Sequence, residues 1–169
     1  MSLLERVVSV LSDEGIKAEV NECGVHTVIA TGMVASRLRV FETPHFLKTI
    51  LYLGLHTPVY RRPEMALALS LANFELHFGA FEMDNEDGEL RFRASLPIDD
   101  TEIGTESLRC LLLFPPSVVA RYSMALAEVA TGAADAGQAI SRSEASWKEE
   151  AAAERVAQTE AELGPGRIQ

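Results

Sequence analysis

This 169-residue chain predicts an α+β fold, an antiparallel sheet with flanking helices. Three observations carry that expectation. Some segments place apolar residues at helical spacing. Others are rich in Val, Ile, Thr and aromatic residues and are broken by short turns, as antiparallel strands are. The two kinds come in blocks: helix, three or four strands, helix, two strands, helix, and then a C-terminal helical tail.

Residues 2–14 set Leu3, Leu4, Val7, Val8 and Leu11 at helical spacing, with Gly15 as the stop. The following stretch predicts strands over about 17–22, 25–33, 37–42 and 46–53, turning at Cys23-Gly24 and Thr43-Pro44. Pro63 fits the first turn of a helix, where its missing N–H costs nothing. That helix runs through MALALSLANF, whose Ala and Leu residues surround the axis and predict burial on most sides. Strands over 76–83 and 89–96 come next.

The last clear helix starts near Thr105, with Glu106 favourable in its first turn. Leu108, Leu111, Leu112, Val119, Tyr122, Leu126 and Val129 form one stripe, which Pro115 and Pro116 interrupt. Each proline removes a backbone donor, so two helices or one sharply kinked helix are expected. Residues 1–132 read as one α+β domain. Residues 133–169 hold ten alanines and few large apolar groups, namely Ile140, Trp147, Val156, Leu163 and Ile168. They predict a mobile or weakly docked appendage, helical over 143–162.

The net charge of −10 argues against non-specific nucleic-acid binding and against anionic membrane surfaces. Glu5 and Arg6 break the apolar core that a signal peptide needs. No apolar run approaches the roughly 20 residues of a membrane span. Cys23 and Cys110 lack CxxC spacing and are expected as two buried free thiols rather than one disulfide, Cys110 within the core and Cys23 nearer a turn, in a cytoplasmic protein.

The most chemically suggestive segment is FEMDNEDGELRFRASL, with five acids between Glu82 and Glu89. It fails as an EF-hand. With Gly88 at the sixth position, Met83 and Ala94 occupy the first and twelfth, where carboxylates are required. Acid–base catalysis needs a perturbed carboxyl group, and a polar loop tip leaves its carboxylates solvated. A hairpin satisfies every residue instead. Pairing Met83 with Leu90 sets Phe81 opposite Phe92 and Gly79 opposite Ala94 on one face, with Glu82 opposite Arg91 and Ala80 opposite Arg93 on the other. Asp87-Gly88 then supplies the turn.

His26, His45, His56 and His77 show no metal-ligand spacing, and phosphate-loop and nucleophile-elbow motifs are missing. No catalytic, cofactor or metal residue is assigned. Candidate partner-binding residues are Arg61 and Arg62 beside Pro63, and Arg91 and Arg93 on one strand face. Converging, they would suit an anionic peptide; separately, they pair with local acids. Trp147 is the candidate anchor of the tail.

Asn73, Gly79, Phe81, Met83, Asp84, Asp87, Gly88, Leu90, Phe92 and Arg93, followed by Ser95-Leu96-Pro97 and the helix starting at Thr105-Glu106, resemble the YbjN family over about residues 65–130. The resemblance implies a fold like that of type III secretion chaperones, in the element order above. The family is described as sensory-transduction regulators and brings no catalytic residue set. The expected function is a non-enzymatic, cytoplasmic, chaperone-like module that binds a protein or peptide partner and forms a homodimer. A dedicated type III secretion chaperone is the alternative. A metal-dependent or acid–base enzyme using the acids of 84–102 is the alternative of another class.

Overall fold

The computed structural model describes residues 1–32, 34–98 and 102–163. Met33 at the expected end of one strand, Asp99 and Asp100 among the expected acids, and Ile168 of the tail lie outside the described residues. Helix α1 (Leu3–Asp13) begins on a capping box. The Ser2 hydroxyl accepts from the Glu5 amide, and the Glu5 carboxylate accepts from the Ser2 amide. Strands β1 (Glu19–Asn21), β2 (Gly24–Thr31), β3 (Val34–Glu42) and β4 (Phe46–His56) follow as a meander. A 3-10 turn (Val59–Arg61) leads into α2 (Arg62–Phe74), then the hairpin of β5 (Ala80–Met83) and β6 (Glu89–Pro97). Helices α3 (Thr105–Thr131) and α4 (Ala136–Leu163) complete the chain. The sheet is antiparallel throughout, in the order β1-β2-β3-β4-β6-β5.

The strands alternate, and the helices explain why. Leu38 and Val40 of β3, Leu47, Leu51 and Leu53 of β4, and Leu90, Phe92 and Ala94 of β6 are buried. They face α1, α2 and α3, which meet the sheet, whereas among the described residues α4 contacts α2 and α3 and no strand. Among the described residues, no helix lies on the other sheet face. The expected α+β class and element order are therefore present.

Helix α3 is a single helix, so of the two expected forms the pair of separate helices is excluded. It runs unbroken through Pro115 and Pro116. An interior proline costs about 3 kcal/mol, but burial of each large side chain on the stripe returns about 1.5–3 kcal/mol. All seven stripe residues named above are at most 1% exposed, so packing outweighs the lost donors. The Ser117 hydroxyl also donates to the Phe114 carbonyl at 2.8 Å. Contrary to the expectation that no run reaches that length, α3 is long and apolar enough by composition to cross a membrane; half of that stretch is buried within the fold.

Three further expectations are corrected. Cys110 projects outward from α3 and is exposed, as is Cys23. Helix α2 buries one face only, through Met65, Ala68, Leu69 and Ala72. The tail becomes helical at Ala136 rather than near 143, and Ala136, Ala139 and Ile140 lie in the core. Small side chains let α4 approach closely, so few large ones are needed.

The junction that turns α4 back is built from identifiable bonds. Gly132 is left-handed and the Ala133 amide donates to the Glu128 carbonyl at 2.8 Å, a Schellman ending for α3. Arg61 donates to the carbonyls of Val129 (3.0 Å) and Ala134 (3.3 Å), and Glu64 accepts from the Ala136 amide at 2.7 Å. Tyr122 ties the layers together. Its ring meets Phe81 edge-on at 5.7 Å and its hydroxyl donates to Glu144 of α4 at 3.4 Å.

Burial pushes the Tyr122 phenol up to about 12, with Arg121 pulling against it and Glu144 adding to it. A raised value means the fold prefers the protonated phenol. That preference is fully present below the ordinary value of 10.0 and is lost as pH rises through about 12. Tyr122→Phe is expected to flatten the fall in stability above pH 10, read by denaturant melts across that range. An unchanged alkaline profile would refute the assignment.

Candidate functional site

The acidic hairpin is the first place to test for chemistry. Its register is the expected one, with Met83 opposite Leu90, Phe81 opposite Phe92, Glu82 opposite Arg91 and Ala80 opposite Arg93. Gly79 lies just outside the paired strand. The turn is wider than two residues. The Asp84 amide donates to the Glu89 carbonyl and the Gly88 amide to the Asp84 carbonyl, both at 2.9 Å. Asp84 accepts from the Glu86 amide at 2.9 Å and Asp87 from the Glu89 amide at 2.8 Å. These carboxylates are used in closing the loop. Among the described residues, no three His, Cys, Asp or Glu side chains come together in a way that could hold a metal ion.

The tip is fastened to the domain. Arg62 donates to the carbonyls of Asn85 (2.6 Å) and Glu86 (3.3 Å), and the Thr57 amide donates to the Gly88 carbonyl at 2.8 Å. At the other end of the hairpin, the Asn73 side chain bonds both backbone groups of Phe81. Its amide donates to the carbonyl at 3.1 Å, and its oxygen accepts from the N–H at 2.8 Å.

The four candidate arginines do not share a partner. Arg61 and Arg62 bind backbone carbonyls at helix and hairpin ends. Arg91 and Arg93 both bind Glu82, at 3.1 and 2.6 Å. Burial pushes the Glu82 carboxyl up, but the hydrogen bonds and charges of Arg93 and then Arg91 together hold it below its ordinary value. Trp147 is 47% exposed and carries the Arg121 guanidinium 4.3 Å over its ring. It borders an open cleft of about 330 Å³ between α3 and α4, which Met124 and Arg142 also line.

Two larger surfaces escape the sequence reading. The outer side of α2 leaves Leu67 51% exposed and Phe74 86% exposed, with Leu71 between them and Tyr60 before them. The leucines of MALALSLANF signal it, but periodicity cannot say which of two apolar sides is covered. The second is the open sheet face. Cross-strand register places Tyr52 between Arg37 and Arg91, and Ile50 between Arg39 and Arg93. The alternation of Arg37, Leu38, Arg39 and Val40 carries that signal.

Gly88 has φ +79, and a Cβ there would lie 2.3 Å from the Thr57 carbonyl oxygen. Gly15 has φ +72 with nothing within 4 Å. Strain alone costs about 1–3 kcal/mol, so Gly88→Ala is expected to lower the melting temperature well beyond Gly15→Ala. Equal losses would count against the Thr57 contact. Glu82 contributes stability above its ordinary value of 4.5, lost as pH falls through the lower folded value. Glu82→Gln should therefore cost at most about 1 kcal/mol at neutral pH and weaken the acid dependence of stability. A parallel pair of stability–pH curves would contradict this.

No family model matches the chain, and no curated protein matches it.

Proposed function

We propose that the chain is a non-catalytic, chaperone-like binding module of the cytoplasm that docks a protein partner on the outer face of α2. The supporting observation is the solvent-facing stripe of Leu67, Leu71 and Phe74, at i, i+4 and i+7, extended by Val59 and Tyr60. Single exposed apolar residues need no explanation, but a contiguous patch marks an interaction surface. Helical spacing suits docking against an apolar helix or groove. Burying each of the three α2 side chains is worth about 1.5–3 kcal/mol before association costs. The carboxylates at the hairpin tip favour this reading over the enzyme alternative, because their bonds are local and structural. The free, exposed thiols of Cys23 and Cys110 fit a reducing compartment.

Leu67→Lys/Phe74→Lys tests the proposal, because both positions are exposed and the fold should tolerate them. After crosslinking in the native host, the parent chain should retain a discrete partner that the double variant loses, with circular dichroism unchanged. A parent without a partner, or a variant that captures the same one, would refute the proposal.

A further inference from the structure

The open sheet face has an unusual charge for a chain with net charge −10. It presents Arg37, Arg39, Lys48, Arg91 and Arg93 against Glu19, Glu82 and Glu89. Arg91 and Arg93 share Glu82, but Arg37, Arg39 and Lys48 meet no carboxylate among the described residues. Arg37 instead lies 4.8 Å over Tyr52, and Arg39 4.5 Å over Phe41. The layout is regular. Tyr52 and Ile50 on β4 form a central apolar column, flanked by Arg37 and Arg39 on β3 and by Arg91 and Arg93 on β6. With strands about 4.8 Å apart, the two arginine columns stand roughly 10 Å from each other, about one helix diameter.

The same chain carries a second uncovered element of the opposite sign. From Lys148 to Gln158 every α4 side chain but that of Ala151 is exposed. At about 100° per residue, Ala153 and Ala157 form the centre of one side. Glu149 lies along one margin of that side, and Glu150 and Glu154 along the other. Lys148 and Arg155 fall on the opposite side. The arm thus has an apolar centre between glutamates, and the sheet has an apolar centre between arginines. Because among the described residues α4 touches only α2 and α3, on the far side of the sheet, the arm is placed to reach another molecule rather than its own sheet.

We propose that the open sheet face is covered by the α4 arm of a second copy, in a two-fold dimer where each arm lies between the other's arginine columns. Glu149, Glu150 and Glu154 meet Arg37, Arg39, Arg91 and Arg93, and Ala153 and Ala157 pack on Tyr52 and Ile50. This contact is independent of the α2 reading. Reciprocal exchange is an isologous arrangement, so it closes at two copies.

Light scattering on the full chain tests it with two charge reversals, Arg37→Glu/Arg39→Glu and Glu149→Lys/Glu150→Lys/Glu154→Lys. Arg91 and Arg93 are left intact because they hold Glu82. The parent should dimerise at low salt, with its dissociation constant rising at least about tenfold toward 1 M salt, where screening acts over about 3 Å. Each reversal alone should be monomeric. An equimolar mixture should dimerise again, more weakly than the parent, since one contact is restored in full and in the other the reversed arm meets the two reversed β3 positions but still faces Arg91 and Arg93. Leu67→Lys/Phe74→Lys should dimerise like the parent, which separates this contact from the α2 surface. A monomeric parent, a dimer indifferent to both reversals, or a mixture that stays monomeric would overturn the proposal. So would a monomer whose sheet face binds polyglutamate or a single-stranded oligonucleotide instead.

Discussion

Burial of one side of α3 is the contact on which the rest depends. This helix packs on the other three helices and on β2, β3, β4 and β6, and its Tyr122 ring reaches Phe81 of β5. Its stripe from Leu108 to Val129 must stay in phase over the whole width of the sheet. That requirement holds the chain helical through two consecutive prolines. It also places Tyr122 where one ring touches the hairpin and its hydroxyl reaches α4. With α1, α2 and α3 on one side, the strands from β2 to β6 have a covered and an open face. The open face is left to charged and aromatic side chains.

How much of this was legible in the residues depended on distance along the chain. The β5–β6 register was readable because one pairing satisfied Phe81–Phe92, Met83–Leu90 and Glu82–Arg91 together, all within a dozen residues. Helix order and strand order followed from local periodicity in the same way. The expectations that failed needed non-local information. Whether α3 broke at its prolines depended on burial energy gathered from seven side chains. Whether Leu67 or Leu69 faced the core depended on which side α4 and the sheet approached. Ala136 and Ala139 gave no strong signal, because small residues mark close approach only when the neighbour is known.

The candidate sites were harder to read than the fold. Arg61 and Arg62 attracted attention as a charged pair, but their partners are carbonyls at the ends of α3 and the hairpin, which no sequence spacing shows. Arg37 and Arg39 look like ordinary strand residues until the strand order sets Tyr52 and Ile50 beside them and Arg91 and Arg93 across β4. A surface assembled from three strands becomes visible only once their order is known. The family resemblance rested on hairpin and core positions, and those positions define shape rather than contacts with a partner.

Asn73 has a consequence for how such a sheet can grow. Strand β5 lies at one edge, and an edge strand offers unpaired backbone groups to any incoming chain. The Phe81 N–H and carbonyl point away from β6, and both are already occupied by a single side-chain amide. A guest strand would have to expel that amide before it could pair, and β1 at the opposite edge has only three residues. Strand addition at Phe81 on the β5 edge is therefore opposed by one asparagine.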